Sequence, residues 1–175
     1  METLMSLSIA IAGVAGRMGG ALIRAASNDP RFRVAGGTER TGSRVLGLDL
    51  GALAGGSGFG VAAADSVHAA ATSAEVWIDF TTPEATLDAL DALVATQVHA
   101  AVIGTTGFSA DQDARITEHA NRIAIVRSGN FSLGVNLLAA LVQHAAAKLQ
   151  QGWDIEIAET HHRRKVDAPS GTALL

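Results

Sequence analysis

The stretch LSIAIAGVAGRMGG, Leu7 to Gly20, restricts what this chain can fold into more than any other. Leu7 to Gly13 is apolar on both faces of an extended chain, the mark of a strand buried from two sides. RMGGALIRAASN comes next and reads as a helix. The turn between them carries Gly13, Gly16 and Gly19 in the spacing G-x-x-G-x-x-G. Glycines so placed allow a tight strand-to-helix turn, and they let backbone N–H groups at the positive helix end approach a pyrophosphate. The same spacing also serves a turn that is tight for packing reasons alone.

The rest of the chain repeats the strand–helix alternation. Phe32 to Glu39, Glu75 to Phe80, Ala100 to Gly104 and Arg122 to Ser128 read as further strands. Thr82 before Pro83 predicts one helix start, and the Ser109–Gln112 capping box predicts another. Thr41 to Gly60 reads as a Gly-rich loop with room for a helical turn. From Leu133 a long helix is expected, with Leu133, Leu137, Leu138, Leu141, Val142, Ala145 and Leu149 as its apolar stripe. Such alternation predicts an α/β fold, a Rossmann-type doubly wound parallel sheet wrapped by helices. In WDIEIAETHH, Trp153, Ile155 and Ile157 alternate with polar or small residues, which predicts a strand with one wet face opening a second, α+β domain. The expected division is 1–130 for the dinucleotide-binding domain, then 131–175 for a linking helix and the start of the second.

Composition narrows the classes of function. The 175 residues carry 13 basic and 17 acidic side chains, a net charge of −4, which argues against a nucleic-acid partner. With no cysteine, a disulfide framework, a zinc ribbon and a thiol nucleophile are excluded. The N-terminal stretch lacks a basic flank, and Gly13 and Gly16 interrupt it, so neither a signal peptide nor a membrane span is expected. That points to the cytoplasm.

Candidate functional residues fall at predicted strand ends. Glu39 lies 20 residues after Gly19, the offset of an acid that binds ribose hydroxyls, and Arg40 beside it suits a 2′-phosphate. NADH and NADPH are both expected to be accepted. Asp79-Phe80-Thr81 and Gly104-Thr105-Thr106 end two further strands, where they either line a nicotinamide pocket or simply lead into helix caps. Phe131 either covers the nicotinamide ring or plugs the core. His161 and His162 precede Arg163, Arg164 and Lys165. Adjacent histidines point to opposite sides of an extended chain, so no metal site is expected. One histidine can serve as acid or base near neutral pH, and Lys165 offers a compact cation for a carboxylate. Ser170 and Thr172 in Pro-Ser-Gly-Thr either form an anion seat at a helix start or belong to a basic, disordered tail. Together these suggest a small acidic substrate.

Taken as a set, GVAGRMG, DFT, VIGTTGF, NFSLGVN and ETHHRRKVDAPSGTA resemble the dihydrodipicolinate reductases of lysine and diaminopimelate biosynthesis, over Ile9 to Ala173. The resemblance implies that Gly13, Gly16, Arg17, Met18 and Gly19 hold the cofactor phosphates, with Glu39 on the adenine ribose and Arg40 on a 2′-phosphate. It implies that Gly104, Thr106 and the Ser128–Phe131 turn surround the nicotinamide. His161 would be the proton donor, and His162, Lys165, Ser170, Gly171 and Thr172 would contact the carboxylates of a cyclic dicarboxylate, Lys165 also acting in catalysis. Thr82 stands where some relatives have a basic residue near the 2′-phosphate. The family continues beyond the SGT motif through a substrate domain carrying a homotetramer interface, so the chain is expected to be truncated and to lack most of that domain. A non-catalytic NAD(P)-binding module or another Rossmann dehydrogenase would share the glycine turn but leave the terminal motif without a role.

Overall fold

The computed structural model describes residues 6–149, 152–161, 163 and 168–174. They fall into two compact units, one running to Arg127 and the other starting at Ser128. In the first unit the elements run in the order β1 (Leu7–Ala12), α1 (Arg17–Ser27), β2 (Phe32–Thr38), α2 (Leu50–Leu53), α3 (Val67–Ala71), β3 (Val76–Asp79), α4 (Pro83–Leu93), β4 (Ala100–Ile103), α5 (Ala110–His119) and β5 (Ala124–Arg127). The five strands pair in parallel in the order β2-β1-β3-β4-β5. This is the expected doubly wound sheet.

Two-residue periodicity explains why both faces are covered. Along β1, Ile9 and Ile11 join a core with Val34 of β2, Ile23 of α1 and Leu50 of α2. Ala10 and Ala12 of the same strand face a second core with Trp77 of β3, Leu87, Leu90 and Leu93 of α4, and Ile116 of α5. Successive side chains of a strand point to opposite faces, so one strand feeds two cores. Small residues make room for the large one: Ala10 is the register partner of Trp77, which is 1% exposed.

The segment after β2 is more ordered than a loop with one helical turn. The Asp49 carboxylate accepts N–H bonds from Gly51 (2.8 Å), Ala52 (3.1 Å), Phe59 (3.1 Å) and Gly60 (2.7 Å), closing residues 49–60 around one charge. Helix α3, capped by Ser66, has five residues, too few to show a helical period in the sequence.

In the second unit, α6 (Leu133–Ala146) forms as expected, with Ser132 as its cap. Its expected apolar stripe is exposed: Leu133, Leu137, Leu138 and Leu141 show 59–85% of their surface. The strand expected from Trp153 is not formed. Residues 153–161 carry no strand pairing, and Trp153, Ile155 and Ile157 are exposed. Alternation prepares a strand, but a ladder needs a partner, and no partner strand lies among the described residues. No described helix is long and apolar enough to cross a membrane.

Four backbone donors hold the Asp49 carboxyl below its ordinary value of 3.8, the Ala52 N–H most strongly. The folded state therefore binds this proton less readily than the unfolded state. The resulting stabilisation is complete above the ordinary value and fades as pH falls through it and through the lower folded value. Thermal melts of Asp49→Ala should lie below those of the wild type at neutral pH, and the gap should narrow below pH 3.8.

Candidate functional site

The glycine turn is built so that no side chain fits inside it. Gly13 sits at φ +66°, and its carbonyl accepts the Gly16 N–H at 2.9 Å. A Cβ on Gly13 would lie 2.9 Å from the Thr81 methyl, and one on Gly19 would fall on the Gly13 carbonyl and 2.8 Å from Val14 Cα. Thus α1 starts hard against the end of β1. Helices α2 to α6 each open with a side-chain cap, from Asp49, Ser66, Thr82, Ser109 and Ser132. Helix α1 opens at Gly16 with no side-chain cap and no acid in its first turn. Its positive end faces a cavity of about 400 Å³ lined by Gly13, Gly16, Arg17, Met18, Gly19 and Phe80. An uncapped helix start in a glycine cradle is the donor set a pyrophosphate requires.

A second cavity, of about 430 Å³, shares Gly13 and takes in Glu39, Arg40, Thr81 and Thr82. Glu39 bridges the ends of β1 and β2. One carboxylate oxygen accepts the Ala15 N–H and the other the Arg40 N–H, each at 3.0 Å. The pair predicted from spacing therefore stands beside the glycine turn. Asp65 and Asp88 also line this cavity. Both are far from the glycine motif in sequence, and no signal there marks them.

Gly104 lies at the end of β4 beneath Phe80, where a Cβ would fall within the Phe80 ring. The loop that carries half-buried Thr106 is held at its far side by Phe108, whose ring centre lies 4.6 Å from the Arg127 guanidinium carbon. Phe80, Gly104, Thr106 and the glycine turn all lie beyond carboxyl ends of parallel strands. Between β1 and β3 the chain order reverses, which is where doubly wound sheets bind ligands.

The second unit brings two distant turns together. Ser128 Oγ donates to the Asn130 carbonyl at 2.8 Å, shaping the turn that carries exposed Phe131. Asn130 Nδ2 donates to Thr172 Oγ1 at 2.9 Å, and a Cβ on Gly129 would lie 3.1 Å from the Gly171 carbonyl oxygen. Ser170, 2% exposed, donates its N–H to Glu159 at 2.8 Å and its hydroxyl to the same carboxylate. His161 Nδ1 stands 3.6 Å from Glu159. Residues 171–174 form a turn where a helix start is expected from the sequence, with the Ala173 N–H on Ser170 Oγ. The sequence includes Asn130 in the Ser128–Phe131 turn without giving it this bridging role, and it does not single out Glu159. The one signal for Glu159 is that it shares a face of the extended chain with His161. His162 and Lys165 lie outside the described residues.

Comparison with known proteins adds to this geometry. A family model described as "Dihydrodipicolinate reductase, N-terminus" matches residues 7–131, and its C-terminal companion matches residues 134–175. The chain is 52% identical over 171 residues to a 4-hydroxy-tetrahydrodipicolinate reductase of Sinorhizobium medicae, covering 97% of this chain and 62% of that protein. It is 49% identical over 172 residues to the enzyme of that name from Burkholderia mallei, covering 98% and 63%. The chain thus spans less than two thirds of these relatives' length. Among solved structures, a dipicolinate-bound dihydrodipicolinate reductase from Paenisporosarcina superposes with a TM-score of 0.72 at 27% identity, over 97% of this chain and 63% of that one.

Crowding at Gly19 gives a direct test. Gly19→Ala should destabilise the fold by about 1–3 kcal/mol, the cost of overpacking a filled site. Thermal unfolding measures it, and a melting midpoint equal to wild type would show that the turn yields.

Proposed function

We propose a function on a fixed premise: the chain belongs to the dihydrodipicolinate reductase family. The function is reduction of 4-hydroxy-tetrahydrodipicolinate, a cyclic unsaturated dicarboxylate, to tetrahydrodipicolinate with loss of the 4-hydroxyl as water. The observation that carries it is the uncapped start of α1 in its glycine cradle, next to the Glu39–Arg40 pair. Bound NADH or NADPH supplies two electrons and one hydrogen to the substrate.

The residues divide the work. Gly13, Gly16, Arg17, Met18 and Gly19 receive the pyrophosphate on backbone donors and one guanidinium. Glu39 keeps lone pairs on both carboxylate oxygens for the ribose hydroxyls, because each oxygen has accepted one backbone N–H. Gly104 and Thr106 of the first unit, and Ser128 and Phe131 of the second, are the residues that would contact the nicotinamide. His162, Lys165, Ser170, Gly171 and Thr172 hold the substrate carboxylates. Glu159 beside Nδ1 orients the His161 ring, leaving Nε2 to deliver a proton to the reduced substrate. Lys165 stabilises negative charge as it develops. The adenosine cavity carries Glu39, Asp65 and Asp88 against Arg40, so a ribose with two hydroxyls suits it better than one bearing a 2′-phosphate.

Two measurements test this reading. Fluorescence titration should give tighter binding of NADH than of NADPH, and Arg40→Ala should weaken NADPH while sparing NADH. Tighter binding of NADPH would overturn the preference. With substrate generated in situ by the preceding condensing enzyme, His161→Gln should slow cofactor oxidation by about 100-fold or more, the usual share of a general acid. Its affinity for the cofactor and for the planar dicarboxylate dipicolinate should stay close to wild type. Undiminished oxidation by His161→Gln would remove His161 from the mechanism.

A further inference from the structure

The ends of β3 and β4 meet in a buried polar network whose centre, Asp79, Thr86 and Thr105, lines neither cavity. Asp79 and Thr86 are 1% exposed and Thr105 is 4% exposed. One Asp79 carboxylate oxygen accepts the Thr81 N–H (2.9 Å), the Thr81 hydroxyl (2.6 Å) and the Thr105 hydroxyl (3.2 Å). The other accepts the Trp77 indole N–H at 3.4 Å. Thr105 Oγ1 in turn accepts from the Thr81 N–H and from the Thr86 hydroxyl, each at 3.0 Å. A hydroxyl has one hydrogen and two lone pairs, so Thr105 is fully used. Each of these partners of Asp79 is a donor. Among the described residues no buried side-chain nitrogen or oxygen lacks a partner.

A buried carboxylate is costly to keep, and an apolar cluster of equal volume would pack α4 against the sheet as well. What an apolar cluster would not do is fix the two residues between the strand end and the α4 cap. Phe80 lies between Asp79 and Thr81, both of which the network holds. The Phe80 ring covers Gly104 and forms one wall of the cavity at the start of α1. The Thr81 methyl stands against Gly13, where it helps close the other cavity. Both contacts are steric, so a shift of the 79–81 backbone would move both walls.

We propose that Asp79, Thr86 and Thr105 are positioning residues for the dinucleotide: they hold Phe80 and Thr81 against Gly104 and Gly13 before the cofactor arrives. This rests on the reading that the crevice binds a nicotinamide dinucleotide. A preformed wall lowers the ordering cost of binding. The walls concerned are shared by NADH and NADPH, so the effect on the two is equal.

Thr105→Val keeps the shape and removes the hydroxyl, whereas Thr105→Ser keeps the hydroxyl. Thr105→Val should weaken NADH and NADPH alike by about tenfold, the worth of one hydrogen bond to a charged group. Thr105→Ser should stay within about twofold of wild type. Asp79→Asn, which turns donors against donors, should show the same uniform loss; if it does not fold, the Thr105 pair decides. A Trp153→Phe background leaves Trp77 as the one indole of the two in the chain, and its emission reports whether the core is intact at the titration temperature. Thr105→Val that melts lower yet binds both cofactors as wild type would reduce the network to a fold element and overturn the proposal. So would a loss confined to NADPH, or an equal loss in Thr105→Ser. Failure of the wild-type chain to bind either cofactor would strike the underlying reading of the crevice instead.

Discussion

The start of α1 lies so close to the end of β1 that a single methyl group at Gly19 would occupy the space of the Gly13 carbonyl. That approach sets the direction of α1, which crosses the sheet with its positive end at the crevice. It also suits the position of β1 inside the sheet, where its side chains feed one core on each face. Because β1 pairs with β2 on one side and β3 on the other, the chain reverses order beside the glycine turn. Glu39 at the end of β2 and Thr81 beyond β3 then converge on the turn from opposite sides. Access to backbone donors is thus a consequence of packing: the contact that binds helix to strand is the one that leaves the helix start bare.

The two units treat polarity differently. In the first, donors and acceptors are paired at the buried strand ends, where Asp79 and Thr105 join two loops. In the second, pairing is arranged around exposed turns. Asn130 ties the Ser128 turn to Thr172, and Glu159 gathers Ser170 and stands beside His161. Without a ladder, side-chain hydrogen bonds to nearby backbone shape each turn, so a few side chains carry the geometry. Among the described residues of this unit, the apolar stripe of α6 and Trp153, Ile155 and Ile157 are exposed.

What was legible in the sequence was whatever depends on neighbours along the chain. Strand and helix periods placed β1 through β5 and α1, α4, α5 and α6. The Ser109–Gln112 capping box formed as read, because its two hydrogen bonds close within one turn. The Glu39 position was legible because the lengths of one helix and one strand fix its distance from the glycine turn. Helix α3 was not, since five residues hold little more than one turn of periodic signal. The strand expected at Trp153 failed for the opposite reason. Alternation was present, but pairing is a property of two segments, and the described residues hold only one of them.

By itself, the sequence determined a parallel doubly wound sheet, a glycine turn suited to a pyrophosphate and a charged terminal motif characteristic of one enzyme family. These are properties of residue type and spacing, which local chain geometry translates directly. Tertiary structure alone decided that Asp79, Thr86 and Thr105 would share one buried network, that Asp65 and Asp88 would line one cavity with Arg40, and that Asn130 would reach Thr172. Asp79 and Thr105 are 26 positions apart, and Asn130 and Thr172 are 42 apart. Partners so distant are chosen by which strand ends and turns the fold places side by side, and no spacing rule along the chain encodes that choice.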